Sequence, residues 1–183
     1  PGYFAKVKDI RVLNHTRAMS IDHQARMVEV RNLQTDETAR LPYDKLIIAT
    51  GAETVEPPIP GKELKNVLRL KRVEDADIFK EHVQGGVCSR VVIVGGGLIG
   101  MEMSEAVAAC GPSVTVVEML PNILPILDAE MAQLLEQHMR QKGVRLATGA
   151  RVERFEGEDG VLRRVVTTSG TFDADLALLA IGF

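Results

Sequence analysis

The stretch VVIVGGGLIG, residues 91–100, decides how this chain folds. Val91–Val94 is a fully apolar run of the kind that fills a buried parallel strand, and glycines follow at Gly95, Gly97 and Gly100 in the spacing G-x-G-x-x-G. Each glycine has its own reason: Gly95 permits a tight turn out of the strand, Gly97 lets a pyrophosphate approach the backbone, and Gly100 lets the next helix pack closely on the sheet. Met101–Cys110 reads as that helix, and Gly111 stands where it should end. A helix N-terminus carries unpaired N–H groups and a positive dipole end, which favour an anion by roughly 0.3–1 kcal/mol per charge.

A second apolar strand, Val114–Val117, runs up to Glu118. An acid about 20 residues beyond the glycine turn is where a dinucleotide site holds the adenosine ribose. A carboxylate there accepts hydrogen bonds from both ribose hydroxyls and repels a 2′-phosphate, and the following MLPNILP (119–125) brings no Arg or Lys to offset that repulsion. NAD is therefore expected in preference to NADP. The alternative is that Glu118 only caps the strand end.

Composition agrees with a soluble α/β protein. The chain has 183 residues, is 45% apolar and carries a net charge of −3, enough for a real core but without the basic surface that phosphate tracking needs. Aromatics make up only 4% and there is no Trp, so a base-stacking platform is not indicated and nucleic acid is not an expected partner. No apolar run approaches the ~20 residues of a membrane span. No membrane association is expected, and a cytoplasmic location is. Two cysteines, Cys88 and Cys110, lie outside any CxxC arrangement and read as small packed residues, and His15, His23, His82 and His138 lack ligand spacing; no metal site and no catalytic residue is assigned.

The two ends of the chain repeat one element. Residues 44–51 read DKLIIATG and residues 175–182 read DLALLAIG, in each case an Asp, an apolar strand and a closing Ala-x-Gly. Paired strand-like segments precede each: residues 10–21 and 26–33 around DHQA in the first half, residues 150–156 and 162–168 around GEDG in the second. Both halves thus read as an antiparallel meander feeding into a parallel strand. Gly51 leaves no room upstream for a fingerprint of its own, so the first half is expected to be an incomplete copy of the second, with its N-terminal part absent. The proline-rich ETVEPPIPGK (53–62) favours an extended crossing between the two. Beyond it, residues 66–70 suggest a short strand, residues 72–83 a helix, and Asp128 an N-cap for a helix over 129–142 stopped by Gly143.

Fingerprint, ribose acid, duplicated closing strands and proline-rich crossing together resemble the FAD-dependent pyridine nucleotide-disulfide oxidoreductases, and PGYF before a meander is most similar to the coenzyme A-disulfide reductase and NADH oxidase branch. The resemblance implies a Rossmann-like parallel sheet with helices and an antiparallel β-meander, of FAD/NAD(P)-binding type, plus an incomplete second copy. It implies a remnant of an FAD-binding domain over residues 1–60 and an NAD-binding domain over 61–183. It also implies that Gly95, Gly97, Leu98, Ile99 and Gly100 cradle the NAD pyrophosphate, that Glu118 holds the ribose, and that Gly182 lines the same cleft. Glu102 matches a family glutamate toward the nicotinamide end, or is an ordinary acid of a first helical turn. Thr50, Gly51 and Ala52 match a stretch that runs beside FAD. Many relatives carry an aromatic residue where this chain has Leu98, so a ring gating the flavin is missing or replaced.

The implied activity passes a hydride from NADH to FAD and on to a disulfide or other acceptor. This chain carries no FAD fingerprint and no redox cysteine in its family context. It is expected to bind NAD(H), to depend on missing FAD-domain segments of a parent protein, to be inactive alone, and to expose apolar strand surface that favours homo-oligomers. Two other classes share the glycine turn: a methyltransferase, which leaves the second Ala-x-Gly strand unexplained, and a non-catalytic NAD(H)-binding redox-sensing module.

Overall fold

Residues 1–51 and 52–183 form two compact units, each built around its own strands. The computed structural model describes residues 2–53, 56–86 and 88–182; Thr54 and Val55 of the proline-rich crossing, and Pro1 of the PGYF segment, lie outside the described residues.

In the first unit a helix, α1 (Gly2–Lys8), precedes β1 (Thr16–Asp22), β2 (Met27–Asn32) and β3 (Thr38–Pro42), which form an antiparallel sheet in that order. Side chains make the turns. The Ala25 N–H donates to Asp22 Oδ1 at 2.9 Å, and Asn32 Oδ1 accepts from Gln34 and Thr35 N–H at 2.8 and 3.2 Å. The first strand starts at Thr16 rather than at residue 10, because His15 turns the chain with a φ of 52°.

The expected closing strand over 44–51 does not form. No strand of the described first unit pairs with it, and Ile47 and Ile48 are 88% and 69% exposed. An isolated extended segment has no sheet to satisfy its backbone groups, so apolar composition alone does not make it a strand.

The second unit begins with β4 (Val67–Arg69), α2 (Val73–Gln84), β5 (Arg90–Val94), α3 (Leu98–Ala109), β6 (Ser113–Val117), α4 (Ala129–Gln141) and β7 (Arg145–Ala147). It closes with β8 (Val152–Glu158), β9 (Val161–Thr167), β10 (Gly170–Asp173) and β11 (Leu176–Leu179). β4, β11, β5, β6 and β7 make a wholly parallel sheet in that order, and β8, β9 and β10 an antiparallel meander. Because successive side chains of a strand point to opposite faces, the apolar runs supply two cores at once. Val91, Ile93, Val116 and Leu178 pack on the helix side with Phe79, Val107 and Met139. Val92, Val94, Val117 and Leu179 pack on the meander side with Phe155, Leu162 and Phe172. The result is three layers: helices, parallel sheet, meander.

Helix starts follow their caps. Arg72 is the extended N-cap of α2, and Asp75 in its first turn accepts from the Lys71 and Arg72 N–H groups at 2.9 Å each, which holds its carboxyl below the usual range. Asp128 takes the N-cap of α4 with extended backbone, yet its side chain caps nothing. Instead α3 begins at Leu98, inside the glycine motif, three residues earlier than its sequence pattern indicates.

Asp175, the acid that opens the repeated closing element, ties β11 to β5. Its carboxylate accepts from the backbone N–H groups of Ser89 and Arg90 at 3.1 and 2.9 Å and from the Arg90 guanidinium at 2.7 Å. The Arg90 side-chain hydrogen bond, with the two backbone donors, holds its pKa below the ordinary aspartate range against the opposing effect of burial. A carboxyl whose pKa is depressed by folding contributes stability above its unfolded pKa, and that contribution is lost as pH falls through the folded value. Asp175→Ala is therefore expected to lower unfolding free energy by about 1–3 kcal/mol at pH 7, and the deficit to shrink as pH falls below about 4. Urea unfolding at several pH values measures both.

Candidate dinucleotide site

The three glycines of the fingerprint differ in what confines them. Gly95 leaves β5 with a φ of +110°, and a Cβ there would stand 2.3 Å from the Ala180 carbonyl oxygen. Gly100 sits where a Cβ would be 2.0 Å from the Gly95 carbonyl oxygen, so α3 lies against the turn; an alanine there requires the helix to move outward. At Gly97 a Cβ would meet nothing within 4 Å. Its φ of −77° suits any residue, so this glycine answers to free space above the backbone rather than to packing. Gly97 is also the N-cap of α3 and provides no side-chain cap. The first-turn amides of Leu98 and Ile99 consequently face the open side without a helical partner.

Glu118 follows β6 and is 8% exposed. Its Oε2 accepts from the Gly96 N–H at 2.5 Å and its Oε1 from the Leu120 N–H at 2.7 Å. Gly96 allows this approach, since a Cβ on it would lie 3.1 Å from Glu118 Cβ, Cγ and Oε2. Each carboxylate oxygen keeps a further acceptor position, so the group is held in one orientation while still able to accept from a diol. Backbone bonds fix it further: the Glu118 N–H donates to Ala147 O and the Ala150 N–H to Glu118 O, both at 2.9 Å.

A cleft of about 980 Å³ opens over the C-terminal ends of β5, β6 and β11, the side of a parallel sheet where ligands bind. Its lining unites Gly95, Gly97, Leu98, Ile99, Glu118 and Gly182 of the expected set. Gly100 is buried beneath it in the helix–turn contact, and Glu102 points outward from α3 and does not line it. Thr50, Gly51 and Ala52 are exposed around the division between the units and do not contribute to it.

Arg151 was not singled out by sequence. It is the one cation among the described residues that line this cleft. The segment after β6 holds no cation, whereas Arg151 comes from the turn after β7, which the backbone bonds of Gly149 and Ala150 bring alongside. Met119 and Pro125 of the loop after β6 also line it, as does Pro57 of the proline-rich segment, which belongs with the second unit. Cys88 is buried, and burial, with the Asp175 charge adding, pushes its thiol up, so it is no ready thiolate. Cys110 is exposed at the C-cap of α3 rather than packed. The described residues contain no cluster of His, Cys, Asp and Glu able to hold a metal, and no helix long and apolar enough to cross a membrane.

A family model for pyridine nucleotide-disulphide oxidoreductases matches residues 4–183. The chain belongs to this family. It is 36% identical to an NADH oxidase of Enterococcus faecalis over 176 residues, covering 95% of itself but 39% of that protein. It superposes with a TM-score of 0.84 on an NAD-dependent persulfide reductase from A. fulgidus, at 38% identity, over 99% of this chain and 33% of the other. A water-forming NADH oxidase from Lactobacillus brevis bound to NADH matches with a TM-score of 0.77 and 31% identity, over 92% of this chain and 37% of the other. An engineered NADPH-bound variant of that oxidase, which loses an aspartate, gains two arginines and has one glycine changed to alanine, matches with a TM-score of 0.76. The chain thus spans about two fifths of the length of the curated relatives it matches.

The glycine geometry makes a contrast that stability measurements check. Gly95→Ala should cost about 2–4 kcal/mol, from left-handed backbone strain and a backbone clash, whereas Gly97→Ala should change unfolding free energy by less than about 1 kcal/mol.

Proposed function

We propose that the cleft of the second unit binds NADH, and that this chain is the pyridine nucleotide-binding portion of a flavoprotein that passes a hydride from NADH to FAD and on to a disulfide or other acceptor. The observation that carries the reading is the pairing of an open α3 N-terminus at Gly97 with the oriented carboxylate of Glu118 across one cleft. In this reading the Leu98 and Ile99 amides receive the pyrophosphate, and the free acceptor positions of Glu118 receive the ribose hydroxyls. Residues 1–51 belong to the FAD-binding part, and Thr50, Gly51 and Ala52 are the stretch that runs beside FAD. FAD, when bound, accepts the hydride; the protein positions the donor, and no residue of this chain serves as an acid, base or nucleophile in that step.

Preference for NADH follows from the Glu118 carboxylate, against which Arg151 sets one positive charge on the lining of the same cleft. A 2′-phosphate brought against the Glu118 carboxylate would put like charges together in a partly buried site. The engineered L. brevis enzyme supports this, since its lost aspartate lies eighteen residues after its changed glycine, the separation between Gly100 and Glu118 here.

Fluorescence titration of the full chain with NADH should give saturable binding, and NADPH should bind more weakly. Glu118→Gln is expected to weaken NADH by about tenfold or more and to narrow the preference over NADPH, as loss of hydrogen bonds to a charged acceptor implies. No saturation by NADH, or an unchanged ratio in the variant, would overturn the assignment. The chain with added FAD should not turn over NADH; turnover would show that it holds the whole catalytic apparatus.

A further inference from the structure

We infer that Glu136, on α4 and outside the cleft, is a positioning residue for the nucleotide site, acting through the loop that follows β6. Glu136 is 5% exposed, an unusual setting for a carboxylate on a surface helix, and it is fully engaged. Its Oε1 accepts from the Ile123 N–H at 3.2 Å and from the Asn122 side-chain amide at 3.3 Å, while Oε2 accepts from Arg140 at 3.2 Å. Two of these three donors belong to the loop, not to the helix.

The loop leads straight to the fingerprint. Ile123, whose N–H Glu136 holds, is fully buried, and the next residue, Leu124, adopts a φ of +47°, a left-handed conformation that a branched side chain rarely accepts. Such backbone persists only where its surroundings over-determine it. One constraint is Glu136 at the preceding peptide; the other is the Leu124 N–H, which donates to the Gly96 carbonyl at 2.8 Å. On its other side Gly96 gives its own N–H to Glu118 Oε2. A continuous hydrogen-bonded chain therefore runs from the Glu136 carboxylate through Ile123, Leu124 and Gly96 to Glu118. Pro125, the residue after Leu124, lines the cleft itself.

Alternatives for Glu136 are weaker. Helix stabilisation by the Arg140 pair needs no buried carboxylate, since an exposed pair at i,i+4 serves as well. A core role alone would be met by an apolar side chain of the same volume. What an apolar residue cannot do is accept from Ile123 and Asn122.

The inference rests on the reading that the cleft takes NADH, so its test has one arm that needs no ligand. In that arm, amide hydrogen exchange is followed in wild type, Glu136→Gln and Glu136→Met. Methionine keeps the buried volume but removes the acceptor, and should speed exchange at Ile123, Leu124 and Gly96 by about tenfold while leaving β5 and β6 protected. Glutamine retains an acceptor oxygen and should remain near wild type. Acceleration confined to Ile123, or an equal rise throughout the unit, would overturn the coupling. In the second arm, Glu136→Met should weaken NADH about three- to tenfold and bring the NADH and NADPH affinities closer, with glutamine restoring both. An equal loss for the two nucleotides would indicate a merely structural residue and overturn the inference. Should wild type bind no NADH, the cleft assignment falls while the exchange arm still decides the coupling. Should the Met variant not fold, Asn122→Ala removes one donor to Glu136 and should raise exchange at Leu124 and Gly96; unchanged exchange there would overturn the proposal.

Discussion

The hydrogen bond between the Gly96 N–H and Glu118 Oε2 joins two segments that are 22 residues apart in the chain, and it depends on the parallel sheet that brings them together. Parallel pairing sets the distance. β5 and β6 align Val94 with Val117, and the Gly95 N–H continues the ladder to the Val117 carbonyl at 2.8 Å, so the residues just past each strand end must meet. A side chain at residue 96 would stand in the way, which is why a third consecutive glycine occurs between the two that the fingerprint spacing demands. The turn and the acid are thus one object, a backbone cradle whose negative rim is tied to its own floor.

Holding that object still requires a sheet buried on both faces. Helices cover one side and the meander the other, and the apolar strands divide their side chains between the two cores. This accounts for Val91–Val94, in which every residue is buried and no polar alternation survives. After β7, at one edge of the sheet, the place still open lies between β4 and β5, on the far side of β5. The chain crosses the far face as β8, β9 and β10 before inserting β11 between β4 and β5.

What could be read from sequence tracks how locally each feature is determined. The glycine turn and its flanking strands were legible because Gly95 leaves the strand with a positive φ and Gly100 sits against the turn itself, while Glu118 was noticed by its offset from that turn. The short strands β3, β7 and β10 were not, because three to five residues with mixed polarity carry no periodicity and become strands only through their neighbours. Arg151 and Glu136 were hidden for a related reason. Arg151 reaches the cleft, and Glu136 the loop beside it, from elements distant in sequence, and a glutamate within AEMAQLLEQHMRQ has the spacing of a solvated helix face until the loop before it is seen to donate to it. The signal that could have been found is the run NILP itself, apolar and proline-ended, which needs an acceptor for any buried N–H it contains.

The repeated Asp-strand-Ala-x-Gly element makes the same point from the opposite direction. In the second unit Asp175 is anchored by Arg90 and two backbone donors, and Leu176–Leu179 is inserted between two partners and fully buried. In the first unit residues 44–51 carry the same pattern, yet no described strand pairs with them and their isoleucines lie in solvent. Residues 44–51 hold four apolar residues against six in 175–182, but two of the four are the β-branched Ile47 and Ile48, so strand propensity does not favour the second segment. A central parallel strand is a property of the sheet that receives it: its stability comes from burial on two faces and hydrogen bonds on two edges, all of which belong to its neighbours. Among the described residues of the first unit only Val30 is buried, and its three antiparallel strands offer no parallel partner. Ile47 and Ile48 are exposed because a strand-like sequence with no sheet to receive it gains neither burial nor a ladder.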